Sequence, residues 1–204
     1  MCIRDRTYTN QVAALALLAA HAAGKGRTYT DGLLEVADLL ESHLPDLEER
    51  AAALAVPFAF TGRMFVIGRG PEYATAREIA VKLLETCQVA AAPLTATDLA
   101  HGPIAALDSL FPVWAIASDD PTLPAVKEAA ERIRAAGGTL VASGTAAAAL
   151  ETADYALPVP TPRQRLLAPI LSVVPGQLFA LALARAKGLD PDEPRGLSKV
   201  TLAR

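Results

Sequence analysis

The chain has 204 residues, of which 52% are hydrophobic, 5% aromatic and 20% charged. That length can bury a sizeable core, and the alanine-rich apolar fraction suits closely packed helices. A net charge of −3 excludes a basic field for nucleic acid, and the two cysteines, Cys2 and Cys87, form neither a disulfide framework nor a metal-ligand spacing.

The first six residues, Met1 to Arg6, do not fit the rest of the chain. They read like a translated sequencing adapter, so residues 1–6 are expected to be a non-native leader on a gene cut at its 5′ side. Thr7–Gly24 is an apolar helix that Thr9 or Asn10 could cap and that Gly24 and Gly26 end. It is apolar nearly all round and needs partners on several sides. His21 on it reads as packed or interfacial. Its longest apolar run, Val12–Ala20, is too short to span a bilayer and lacks a signal-peptide cleavage pattern. No membrane association is expected. A buried, unpaired Cys87 suits a reducing cytoplasm.

A second helix is expected from Asp31 to about His43. A third opens at Pro45, with Asp46, Glu48 and Glu49 in its first turn, and ends near Ala55. No strand is predicted in the first sixty residues. Residues 7–60 therefore read as a helical arm before an α/β region at 61–204.

The pattern changes at Arg63. Met64–Ile67 is a short strand of β-formers that ends at Gly68-Arg69-Gly70-Pro71, and a helix comes next over Pro71–Gln88. The glycines would let backbone approach a ligand, and helix N-termini favour anions. The pattern is not GxGxxG, however, and Pro71 removes one donor. Gly68, Arg69 and Gly70 are candidate substrate-binding residues. Further strands are expected at Val89–Pro93, Phe111–Ala117, Thr139–Ser143 and Tyr155–Val159. Between them lie a one-turn helix before His101, an amphipathic helix at Thr122–Ala136 and a short alanine-rich helix. A long helical segment, Pro162–Lys187, is broken or kinked at Pro169 and Pro175. Strands alternating with helices predict a mostly parallel sheet covered on both faces, with ligands beyond the carboxyl ends of the strands.

The chemistry concentrates in Ala76–Pro103. Glu78, Lys82 and Glu85 stand at i, i+4 and i+7, on one helix face, and His101-Gly102-Pro103 closes the stretch. Spacing alone favours a solvated Glu–Lys pair and a turn histidine over an acid–base site.

Three patches resemble a known family, in its order: IGRGPEYATAREIAVKLLE over Ile67–Glu85, DLAHGPIAAL over Asp98–Leu107 and DPDEPRGLSKVT over Asp190–Thr201. From Arg63 to Lys199 the chain resembles the second sugar isomerase (SIS) domain of double-SIS amino-sugar-phosphate enzymes. These include the isomerase half of glutamine–fructose-6-phosphate aminotransferase and the SIS-type glucosamine-6-phosphate deaminases. Thr7–Gln11 resembles the entry to the last helix of the preceding SIS domain, which makes the arm that helix plus linker helices.

The resemblance implies a three-layer αβα sandwich with a five-stranded, mostly parallel, flavodoxin-like sheet. It implies that Glu85 shuttles a proton between the first and second sugar carbons, with Lys82 and Glu78 lining the same pocket. His101 would help open the sugar ring, reaching a neighbouring subunit's site in a homodimer with a shared active site. Lys199 in the tail, with Ser198 beside it, would approach the ketose carbonyl. The substrate would be a phosphorylated amino sugar or ketose, with no cofactor and no metal. These residue types suit aldose–ketose isomerisation: a carboxylate moves the proton alpha to the carbonyl and a histidine titrates in the range that ring opening needs.

One departure matters. Where the family's first domain holds phosphate with a serine- and threonine-rich loop, the corresponding loop here, Ala117–Thr122, carries Asp119 and Asp120, which would repel phosphate. The chain alone is expected to show little or no turnover. Three readings stay open: a deaminase or isomerase, a fragment of the glutamine-dependent aminotransferase, and a non-catalytic sugar-phosphate sensor. The ending, GLSKVTLAR, favours the first.

Overall fold

The structure, a computed structural model, describes residues 5–196, with side chains from Thr7. Two helices come first, α1 (Asp5–Ala22) and α2 (Gly26–Ala55). Five strands come next, β1 (Arg63–Gly68), β2 (Ala90–Thr95), β3 (Val113–Ile116), β4 (Leu140–Gly144) and β5 (Tyr155–Pro158). Between and after them run α3 (Glu72–Cys87), α4 (Ala96–Ala100), α5 (Leu123–Ala135), α6 (Ala168–Ser172) and α7 (Val174–Ala186).

The strands form one sheet in the order β2-β1-β3-β4-β5, and every pairing is parallel. Successive side chains on a strand point to opposite faces. Met64, Val66, Trp114 and Ile116 therefore meet α3, α7 and the end of α2 on one face, while Ile67, Val113 and Ala115 meet α4 and α5 on the other. Trp114 stacks at a tilt on Phe179, with centroids 4.9 Å apart, and its indole N–H donates to Ser143 Oγ at 2.8 Å. Such sheets reverse strand order at a crevice between neighbouring carboxyl ends. Here that crevice lies between β1 and β3, where the turn into α3 meets the loop after β3.

Two expected breaks fall elsewhere. The helices expected at Asp31–His43 and Pro45–Ala55 are one continuous helix, with Pro45 inside it. An interior proline costs about 3 kcal/mol of helix propensity. Burial of Val36 on one side of it and of Leu47, Ala51 and Leu54 on the other offsets that cost. The segment expected from Pro162 begins later, as a 3-10 turn at Arg165–Leu167, and Pro169 and Pro175 each open a separate short helix. The stretch Arg165–Ala186 is apolar and long enough to cross a membrane, but 72% of its most apolar 18-residue window is buried within the fold. The alanine-rich segment before β5 is a 3-10 turn, Ala147–Ala149, because it lacks the length to nucleate an α-helix.

Helix α2 packs along α7, and α1 packs on α2 and α6. A third apolar cluster fills the space between them, from Val36 and Leu47 to Leu167 and Leu171.

Candidate active site

Helix α3 is held on the sheet by Ala76, Ile79, Ala80, Leu83 and Cys87, all buried. Gln88 ends it in the left-handed conformation, its N–H donating to the Leu83 carbonyl. With that stripe turned inward, Glu78, Lys82 and Glu85 come together as their spacing predicts. Lys82 Nζ stands 3.3 Å from Glu85 Oε2 and 3.6 Å from Glu78 Oε1. The cation is the most deeply placed of the three: its side chain is 4% exposed, against 17% for Glu78 and 27% for Glu85. A solvated Glu–Lys pair would expose the ammonium. Two carboxylates locked on a buried lysine are instead fixed in direction, and Glu85, the more accessible, can exchange a proton with a bound molecule. A groove of about 380 Å³ runs beside this face between α1 and α3, lined by Tyr8, Gln11, Leu15, Arg77, Glu78 and Val81.

The other predicted residues are distributed differently. Gly68 has a structural use of its own, since a Cβ there would strike the Glu72 carbonyl oxygen in the first turn of α3. Gly70 turns the chain at φ +58°. Arg69 donates to Thr97 Oγ1 on α4. Thr95 caps α4 by accepting from the Asp98 N–H at 3.0 Å, and His101 ends that helix, exposed. No hydrogen bond or ion pair joins His101 to the α3 face among the described residues. Ser198 and Lys199 lie outside the described residues.

The charged face and the sheet-edge crevice are separate places. Glu85 lies thirteen residues beyond Glu72, about 20 Å of helix. The crevice is occupied by groups that sequence reasoning missed. Glu72, 1% exposed, accepts from Thr75 Oγ1 at 2.6 Å and is hydrogen-bonded through Oε1 to Ser118 Oγ. The Tyr8 hydroxyl on α1 bonds Thr75 Oγ1 at 2.8 Å. Burial pushes the Glu72 carboxyl above its usual 4.5 despite these hydroxyl partners, and burial likewise pushes the Tyr8 phenol up to about 12. In the loop after β3, Asp119 takes Arg165 at 3.0 Å, and Asp120 accepts from Thr122 N–H and Oγ1, both at 2.6 Å. The acids at this loop are therefore engaged within the fold. Pro71-Glu72 after a glycine turn signals a helix start; nothing in it signals burial. Among the described residues no cluster of three or more His, Cys, Asp or Glu side chains could hold a metal ion.

A parallel sheet in this order, with an ion-paired face on the helix after its first strand, defines an open α/β fold. The chain belongs to the SIS domain family, whose model matches residues 58–186. It is 38% identical over 204 residues to the glutamine–fructose-6-phosphate aminotransferase [isomerizing] of Gloeobacter violaceus, covering 95% of this chain and 33% of that protein. The chain thus spans about a third of the length of the curated relatives it matches. Among solved structures, it is similar to the C-terminal domain of glucosamine-fructose-6-phosphate aminotransferase from Francisella tularensis (TM-score 0.76, 24% identity, 84% of this chain and 48% of that one). It is also similar to the glucosamine-6-phosphate deaminase of Thermotoga maritima (TM-score 0.67, 17% identity, 92% and 55%). At those identities the structural likeness concerns the fold. The family model and the relatives agree that residues 58–186 form a SIS domain.

Proposed function

We infer that the chain supplies the proton-transferring half of an amino-sugar-phosphate isomerase or deaminase, of the kind that interconverts glucosamine 6-phosphate and fructose 6-phosphate. The observation that carries the reading is Lys82, buried between Glu78 and Glu85 on one face of α3. Glu85 takes the proton alpha to the carbonyl and returns it one carbon away. Lys82 holds the carboxylate in place and balances its charge, and Glu78 completes the face. His101 serves ring opening from a neighbouring subunit of a homodimer, and Lys199, with Ser198, meets the ketose carbonyl. The Asp119–Arg165 pair and the hydrogen bonds of Asp120 to Thr122 argue that the phosphate is held elsewhere than at this crevice.

A second reading has its own support: the relatives at 31–38% identity carry the name aminotransferase. On that reading the same acid–base face serves a glutamine-dependent enzyme.

The test is a domain exchange in which residues 7–204 replace the matching third of the Gloeobacter relative. Ammonia release from glucosamine 6-phosphate reports deamination; glucosamine 6-phosphate formed from fructose 6-phosphate and glutamine reports the second reading. Glu85→Gln in the active exchange should cost at least about 100-fold in turnover, the scale of a lost general base. Unchanged turnover would sink the proton-transfer role. The isolated 204-residue chain should show little turnover, and robust activity would show that the site is complete without other segments.

A further inference from the structure

The proton-transfer scheme leaves the crevice at the carboxyl ends of β1 and β3 unused, although it holds the most completely buried acid of the described residues. Among the described residues, polar groups from several elements stand around Glu72, and Thr145 and Thr161 line the same cavity. Thr75 comes from its own helix, Ser118, Asp119 and Asp120 from the loop after β3, and Ser172 from α6. Arg165 stands across a cavity of about 10 Å³, and Tyr8 of α1 acts through Thr75. Arg165 is the one cation in this set, and it is engaged by Asp119. Asp120 adds negative charge. Ser172 Oγ is buried beside the carboxyl as a further hydroxyl.

The positive end of the α3 dipole favours an anion in principle. But the first amides of α3 are spent on the turn: the N–H groups of Glu72, Tyr73 and Ala74 donate to the carbonyls of Arg69, Gly70 and Pro71. The carboxyl is left with hydroxyl partners alone. A buried carboxylate without a cation is expensive, and such a group takes up a proton instead. The cavity has room for about one water.

We propose that Glu72 is a positioning residue held as a neutral carboxylic acid, which fills the crevice with its own side chain and fixes the first turn of α3, with the face bearing Glu78, Lys82 and Glu85, against β3 and α1. With the proton on Oε1 the acid donates to Ser118 Oγ, Oε2 accepts from Thr75, and Thr75 accepts from Tyr8. The positioning role rests on reading α3 as the acid–base helix; the protonation does not.

The raised folded-state pKa sets the sign of the linkage. The stabilisation from this proton is complete below the unfolded value of about 4.5 and is lost as pH rises through the folded value. In the 204-residue chain, the folding equilibrium constant should fall by up to tenfold per pH unit above about 4.5, relative to Glu72→Gln, until the folded pKa is passed. Glu72→Gln keeps a neutral hydrogen-bonding group and lacks that slope. At pH 7 the wild-type infrared spectrum should hold a protonated-carboxyl band that Glu72→Gln removes. Amide exchange at Ala74–Glu78 should be as slow in Glu72→Gln as in wild type and at least tenfold faster in Glu72→Ala. Equal pH slopes for wild type and Glu72→Gln, or no such band, would overturn the neutral acid. Unchanged exchange in Glu72→Ala would overturn the positioning. All these readouts are independent of turnover, so they stand or fall separately from the Glu85→Gln result.

Discussion

Lys82 shows how a charge pattern acquires meaning. Its place four residues after Glu78 and three before Glu85 is visible in the sequence and fits any exposed helix. The fold places the ammonium beneath the carboxylates rather than beside them in solvent. A buried ion pair is not a strong source of stability, but removing one partner leaves the rest uncompensated. Lys82→Met should therefore destabilise the chain by about 2 kcal/mol, below the range for fully buried pairs because both acids retain some exposure. Urea unfolding at neutral pH measures this; a loss below about 0.5 kcal/mol would mean that Lys82 behaves as a surface cation. Glu72 is the opposite case. It looks like a dipole-complementing acid in a first helical turn, yet it is buried and bonded to Ser118, 46 residues away.

Helix α3 meets α7 at a point no local signal announces. A Cβ at Gly176 would run into the Ile79 side chain. The glycine lies in the first turn of α7, where a sequence reading sees only a weak helix former after Pro175. Its absent side chain lets the two helices approach. Gly176→Ala should cost about 1–3 kcal/mol by overpacking, seen as a lower urea midpoint, although alanine is the better helix former by about 1 kcal/mol. Ile79→Val in the same chain should recover part of the loss, and simple additivity of the two changes would exclude the clash as its cause. The strands, by contrast, were legible to within two or three residues, because β-formers bounded by glycine and proline mark them locally. The one long helix α2 was not: Pro45 is a local stop signal, and only burial of Val36, Leu47 and Leu54 on a common seam carries the helix through it.

On the scale of the molecule, apolar side chains stand exposed on α1 and α3 among the described residues. Leu15 and Leu18 of α1 are 65% and 69% exposed, and Val81 and Leu84 of α3 are 42% and 56% exposed. Leu15 and Val81 line the groove beside Glu78. An apolar rim around an ion-paired face is the composition of a surface made to be covered. The 204-residue chain should self-associate in sedimentation velocity as concentration rises, and Leu18→Lys with Leu84→Lys should shift it toward monomer. A wild-type chain that stays monomeric throughout would count against this face as an association surface.

Local patterns fixed the α/β class, the run of five strands and the helix that bears Glu78, Lys82 and Glu85, because hydrophobic periodicity and glycine or proline punctuation act over a few residues. They also fixed that Glu78, Lys82 and Glu85 share a face. The tertiary structure decided which member of that face is buried, that Glu85 lies about 20 Å along the helix from the sheet-edge crevice, and that Glu72 rather than an open slot occupies the crevice. Those outcomes depend on groups distant in sequence, Tyr8, Ser118 and Arg165, whose approach sets the desolvation and the hydrogen bonds that decide a charge's state.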